Sequence, residues 1–192
     1  MLDLQPTLTG PLVTLRPLTA DDFQELMAVA SDPLIWAQHP DPARGTRAGF
    51  EPFFQAALLS QGCLVAIDTV KRTLIGCSRY THYEVGTRIS IGYTFLARAY
   101  WGGAANAQMK QLMLHHAFAD VSEVLFTVAE HNIRSRRAVE KLGAELVGVE
   151  DTPRWGQLHV IFRLTPQLWA RRAVLGYGPP PPRTPDSSHV EL

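Results

Sequence analysis

Residues 88–119, RISIGYTFLARAYWGGAANAQMKQLMLHHAFA, constrain the fold of this chain more than any other stretch. They open as a strand: Ile89, Ile91, Tyr93 and Phe95 alternate with Ser90, Gly92 and Thr94, the period-2 pattern of a sheet. They close as a helix, with Ala105, Met109, Leu112, Met113 and Ala117 at helical spacing on one face. Between the two lies a junction of small residues, Trp101, Gly102, Gly103, Ala104, Ala105 and Asn106. The first amides of a helix have no partner inside it, and the helix dipole turns its positive end toward the same spot. Strand, glycine turn and helix start therefore make an anion site suited to a phosphate; the same glycines also serve a plain tight turn. No Gly-Lys-Ser/Thr follows them, and no G-x-G-x-x-G is present, so neither a Walker loop nor a dinucleotide fingerprint is read here.

The 192 residues, 46% hydrophobic, suit one globular domain with a sizeable core. A formal net charge of zero gives no pull toward nucleic acid or an anionic membrane. No apolar run is long enough to span a bilayer, and the opening MLDLQPTLTG has no signal-segment pattern. Cys63 and Cys77 read as buried small hydrophobes in a reducing cytoplasm. No Cys/His cluster has zinc spacing, so no metal is expected.

Residues 12–16 read as a first strand ending at Pro17. Thr19 to Asp22 signal a helix start, followed by Phe23, Leu26, Met27 and Ala30 on one face. Residues 35–42 read as a Pro-punctuated loop, and 46–59 as a helix with Pro52 near its first turn. Strands at 63–67 and 74–80 flank a polar hairpin loop. Residues 124–129 form a continuous apolar run, the pattern of a strand covered on both faces. A helix over 133–142 with Gly143 as its cap and strands at 146–149 and 158–164 complete the domain, which spans 1–175. The tail 176–192, GYGPPPPRTPDSSHVEL, is too polar and Pro-rich to build a core and is expected to be disordered. The fold class is α+β: one domain with a mixed, mostly antiparallel sheet, flanking helices, and a right-handed parallel crossover joining strand 89–95 to strand 124–129.

This order and these residues resemble the GNAT family of acetyl-CoA-dependent N-acetyltransferases, in the branch of ribosomal-protein N-terminal acetyltransferases. IGYTFLARAYWGGAAN resembles the family's pyrophosphate-binding segment, and NIRSRRAVEKLGAELVG its following helix. The resemblance implies a splayed parallel strand pair, with a bulge that Gly92 would ease, and acetyl-CoA as cosubstrate. It places the cofactor on Phe95, Leu96, Trp101, Gly102, Gly103, Ala104, Ala105, Asn106 and Asn132. Trp101 takes the motif's first place, Ala104 its middle glycine and Asn106 its last residue.

The family often carries a Tyr that protonates the leaving thiolate; Val139 stands there, and Ser135 matches members that place a serine near the sulfur. Asn132 suits a pantetheine hydrogen bond or an N-cap. Ser90 occupies the usual place of a basic Glu, so Glu84, His82, His131, His39 or a water chain remain as alternatives for the base. Trp36 and His39 fall where the family shapes its acceptor pocket, while His115 and His116 read as partly exposed helix residues, not a metal pair. The implied reaction is direct acetyl transfer to a primary amine, on a protein N-terminus or a small molecule. A non-catalytic acyl-CoA-binding module is the rival reading. The resemblance also implies a homodimer through an exposed edge strand, expected at 158–164.

Overall fold

The computed structural model describes residues 1–152 and 156–172. The Pro-rich tail and the domain limit at residue 175 lie outside them. The strands are β1 (Leu8–Thr9), β2 (Val13–Pro17), β3 (Cys63–Asp68), β4 (Leu74–Glu84), β5 (Arg88–Leu96), β6 (Glu123–Ala129), β7 (Glu145–Thr152) and β8 (Gln157–Leu164). Among the described residues they form a single sheet in the order β1-β2-β3-β4-β5-β6-β8-β7. Neighbours are antiparallel except β5 and β6. The helices are α1 (Phe23–Ala30), α2 (Pro33–Trp36), α3 (Arg47–Leu59), α4 (Ala104–Ala117), α5 (Ile133–Glu140) and α6 (Pro166–Arg172). The expected α+β class, mixed sheet and single parallel pair with a helical crossover are all present.

Local chemistry explains the helix starts. Thr19 N–H donates to the Asp22 carboxylate, which also grips the Arg16 guanidinium through two bonds of 2.6 and 2.8 Å. That pair ties α1 to the end of β2. Thr46 Oγ1 accepts from Gly49 N–H at 3.2 Å and caps α3. Pro52 lies inside α3 at its sixth residue, just past the first turn. The loop expected over 35–42 begins as α2, because Asp32 accepts from Leu34 N–H and Pro33 is set for the first helical position.

Each face of the sheet carries its own core. Ile89, Ile91, Leu96, Met109, Met113 and Leu114 belong to the core under α4. Phe50, Phe53, Phe54, Trp36 and Phe95 belong to the core under α1–α3, where Cys63 and Cys77 are buried as free thiols. Two expectations fail here. β6 is fully covered on one face only: Val124, Phe126 and Val128 are buried, while on the other face Leu125 is half-buried, Thr127 exposed and only Ala129 buried. Strand 157–164 is not an edge; β8 pairs β6 on one side and β7 on the other. Among the described residues the edge strands are β1 and β7, and β7 exposes Leu146, Val147 and Val149.

The close approach of β4 to β5 depends on Gly76. Its φ is +151°, and a Cβ there would lie 2.0 Å from Phe95 O and 2.9 Å from Leu96 Cα. Both contacts are to backbone, which cannot rotate away. Gly76→Ala is expected to lower the unfolding free energy by more than about 2 kcal/mol, read from the urea midpoint at unchanged slope. A loss under about 0.5 kcal/mol would show that the strand pair yields there.

Candidate functional site

β5 keeps β4 along its whole length but leaves β6 early. The parallel ladder runs from Arg88↔Glu123 to Ser90↔Leu125 and stops. Beyond it, β5 continues to Leu96 against β4, and β6 continues to Ala129 against β8. The facing backbone groups of the two strands therefore line an open cleft. A bulge accompanies the parting: Tyr93 and Thr94 together oppose Ser78, between the pairs Cys77↔Phe95 and Arg79↔Gly92. The strained residue is Tyr93, with φ +52°; a side chain at Gly92 would meet open space, so that glycine is not what permits the bulge. The bulge reverses the alternation. Ile89 and Ile91 face α4, whereas Phe95 faces the aromatic core and Tyr93 is exposed.

The strand leads through a 3-10 turn at Arg98–Tyr100 into the glycines. Gly102 has φ +65° and needs its missing side chain. Gly103 is the N-cap of α4 at φ −96°, without a side-chain cap bond. A Cβ there would come no closer than 3.9 Å to any atom. Ala104 is the first helical residue and has no positive φ, so its methyl costs the turn nothing. Ala105 and Asn106 complete the first turn. Gly103, Ala104 and Ala105, but not Asn106, line a cavity of about 290 Å³ together with Tyr100, Asp68 and Lys71. Trp101 is not a free anion contact. Its indole N–H donates to Leu96 O at 2.8 Å, and the Arg134 guanidinium lies 3.9 Å over its ring.

α5 begins on the other bank of the cleft. Asn132 is buried, and its Oδ1 accepts from Ser135 N–H at 3.1 Å, so the capping role is real. That bond uses the carbonyl and leaves the amide NH2 as a donor. Ser135 is half-buried in the first turn, and among the described residues its hydroxyl has no hydrogen-bond partner. Val139, one turn on, is 7% exposed and carries no proton. Arg134 escaped the sequence reading. It donates from Nη2 to Ile35 O at 2.7 Å and fastens α5 to α2 across the cleft.

Trp36 and His39 stand together on the aromatic side. Trp36 is buried, donates to Ala30 O at 2.7 Å, and lies 5.2 Å from Phe95. His39 packs edge-on to Trp36; its Nδ1 accepts from Asp41 N–H, and Arg44 Nη1 is 3.2 Å from its Nε2. Burial, then the Arg44 charge, pushes the His39 pKa down to about 4, so the ring is neutral at pH 7. Arg44 and Arg79, both buried, share this neighbourhood and were also missed. The other base candidates sit elsewhere. Glu84 is ion-paired with Arg88 at the closed end of the strand pair, and His82 lies two residues from it on the same strand end. Ser90 marks the last rung of the parallel ladder. His115 is exposed, and His116 contacts Asp3 O.

Lys110 is the least expected member. It is buried under the bulge, with Nζ 2.7 Å from Thr94 Oγ1 and 3.1 Å from Ser78 Oγ. Burial lowers its pKa to about 7. The signal was present: Lys110, Leu114 and Ala117 share the i, i+4, i+7 spacing of the buried face. No group of three or more metal-ligating side chains occurs among the described residues, and no helix there is long and apolar enough to cross a membrane.

Residues 13–145 match the model of the acetyltransferase (GNAT) domain, and the chain belongs to that family. No curated protein matches it in sequence. Among solved structures it is similar to a GCN5-related N-acetyltransferase from Brucella melitensis, at 20% identity and a TM-score of 0.77, over 88% of this chain and 85% of that one. It is similar to Mycobacterium smegmatis RimJ in complex with CoA-disulfide at 19% identity and 0.67, over 92% and 97%. It is also similar to spermidine N-acetyltransferase from Vibrio cholerae, in complex with CoA and spermine, at 15% identity and 0.64, over 83% and 99%. At these identities the likeness is one of fold.

The lowered Lys110 pKa fixes a sign for stability. Below about pH 7 both folded and unfolded chains carry the proton, and burying the cation carries its full cost. Between there and the ordinary value of 10.5 the unfolded chain keeps a proton that the folded one releases, so the cost fades as pH rises. Lys110→Met keeps the chain length and leaves Ser78 Oγ and Thr94 Oγ1 bonded to each other at 2.7 Å. The variant is expected to be more stable than wild type by at least about 1 kcal/mol at pH 6–7. The gain should shrink steadily toward pH 10 in parallel urea titrations; a pH-independent difference would assign it to packing.

Proposed function

We propose that the chain is an N-acetyltransferase that moves the acetyl group of acetyl-CoA directly to a primary amine in the cytoplasm. The observation that carries this reading is the parting of β5 and β6 after Ser90 and Leu125, opposite the uncapped N-terminus of α4. The facing backbone of the splayed strands suits an extended pantetheine arm, and the open space at Gly103 suits a pyrophosphate against the α4 amides. That two structural relatives hold CoA supports the same reading. Acetyl-CoA supplies the acyl carbon and the thiolate leaving group. The amine nitrogen forms a bond to that carbon, the carbon–sulfur bond breaks, and the proton lost by the amine balances the released thiolate, giving amide and CoA thiol.

Residues of this chain then have distinct tasks. Backbone donors of β5 beside the Tyr93 bulge polarise the carbonyl. Asn132 holds the pantetheine arm through its NH2. The Ser135 hydroxyl donates a hydrogen bond to the departing sulfur. A neutral serine is a weak acid, so it stabilises charge more than it transfers a full proton. Much of the rate comes from holding amine and thioester together. A non-catalytic acyl-CoA module finds support in Val139 and Ser90 standing where acid and base are usual; turnover on a panel of amines separates the two.

CoA at ~100-fold excess over its dissociation constant is expected to stabilise the fold by about 2.7 kcal/mol. Gly103→Val has room for its side chain in the free protein, so it should fold normally yet lose most of that shift. An unmoved melting curve for wild type with saturating CoA would falsify the reading. Ser135→Ala is expected to lower kcat by a factor of ~100 with CoA affinity nearly unchanged. Full kcat in that variant, with chemistry rate-limiting, would leave Ser135 as a helix-start residue only.

A further inference from the structure

We propose that the amine acceptor carries a carboxylate, held on the aromatic side of β5 by Arg79 and Arg44. The inference rests on the acetyltransferase reading and deepens it. Arg79, on β4, is 4% exposed, yet its Nε has no hydrogen-bond partner among the described residues. Its Nη1 and Nη2 reach Ala56 O and Phe53 O only at 3.4 and 3.5 Å. No ion pair joins Arg79 to a carboxylate among the described residues, whereas Arg16, Arg44, Arg88 and Arg98 each have one. A buried guanidinium without a counter-ion is costly, and its planar fork is shaped for a bidentate carboxylate.

The position of Arg79 is equally specific. Its guanidinium lies 4.3 Å from the centre of the Tyr93 ring, and Tyr93 is the bulge residue with φ +52°, 46% exposed at the cleft. The Phe53 ring has Arg79 at 5.5 Å and Arg44 at 4.9 Å. Arg44 in turn lies 5.9 Å over Trp36, beside His39, and is paired with Asp41 at 3.2 Å. Among the described residues Arg44 is paired with Asp41, Arg79 is paired with no carboxylate, and His39 is neutral. A polyamine meets like charge there; an amine bearing an α- or side-chain carboxylate meets its complement. The same positive field favours the neutral form of an amine held nearby, which reduces the demand for a dedicated base. The rings of Trp36, Phe53 and Phe95 offer the apolar wall for the rest of the acceptor.

The test measures thiol release from acetyl-CoA with matched acceptors: amino acids and short peptides with free carboxylates, their amidated counterparts, and spermidine. CoA-induced thermal stabilisation is followed on the same proteins. The expected result is a kcat/KM at least tenfold higher for free carboxylates than for the amides, with spermidine poorest. Arg79→Met and Arg44→Met should each cut that ratio below about threefold, mainly through KM, while Arg79→Lys keeps part of it. A stable Arg79→Met protein with an unchanged ratio overturns the proposal, and so does wild-type preference for amides or spermidine. Should Arg79→Met not fold, Arg79→Lys and Arg44→Met decide by the same ratio. If CoA shifts melting but no carboxylate acceptor is favoured, this proposal fails alone; if CoA shifts nothing, the acetyltransferase reading fails first.

Discussion

Everything at the site depends on one strand having two unlike neighbours. β5 is held by β4 from end to end, and by β6 for three rungs only. A sheet strand gives up ladder bonds only where something else will use the exposed groups. The extra residue at Tyr93–Thr94 supplies the bend, and Gly76 lets β4 follow β5 closely as far as Leu96. The cleft is therefore a property of strand pairing, and the helices on either bank are positioned by it. α4 begins where β5 ends, and α5 begins where β6 ends.

The bulge also distributes charge. Tyr93 and Thr94 are consecutive, yet each touches a buried cation on a different side of the sheet: Arg79 on the aromatic side and Lys110 under α4. Neither is neutralised by a carboxylate among the described residues. Hydrophobic substitution at either place would normally stabilise a core. Two such cations beside one bulge thus mark a place where stability has been set against something else. Arg134 adds a third cation nearby, its guanidinium stacked on Trp101 and bonded to the α2 carbonyls.

Much of the architecture was legible in the sequence, because it follows from local periodicity. The strand–glycine–helix unit, the helix start at Asp22 and the N-cap at Asn132 are short-range features, and each stands where the pattern placed it. The failures are long-range. Alternation through Ile89 and Ile91 promised the same face for Tyr93 and Phe95; the bulge expected at Gly92 is centred on the next residue, Tyr93, and reverses that face. The apolar run of β6 suggested cover on both faces, but a run cannot say whether a second helix reaches that far across the sheet. The edge fell on β7 because β8 inserts between β6 and β7, an order that sequence proximity does not reveal. Arg44, Phe53 and Arg79 meet only once α3 lies on β4, so their cluster had no contiguous signature. Lys110 could have been found, as a charge in the buried stripe of α4.

The buried Arg79 guanidinium, and Lys110 where it keeps its proton, bear on the proposed reaction in one consistent direction. Acetyl transfer starts from an amine that must be neutral and ends by releasing a thiolate. A positive local potential disfavours the ammonium form of the acceptor and favours the anionic form of the sulfur. Both effects lower the demand on a strong base and a strong acid. This is consistent with Ser90 and Val139 standing where a carboxylate and a phenol would otherwise work. The same potential would weaken the grip on a polycationic acceptor. An acceptor with its own carboxylate escapes that penalty, because its negative group pairs with the guanidinium while its amine remains the uncharged end. Charge arrangement and the missing side-chain acid and base are thus two aspects of one design, organised around the residues where β5 turns away from β6.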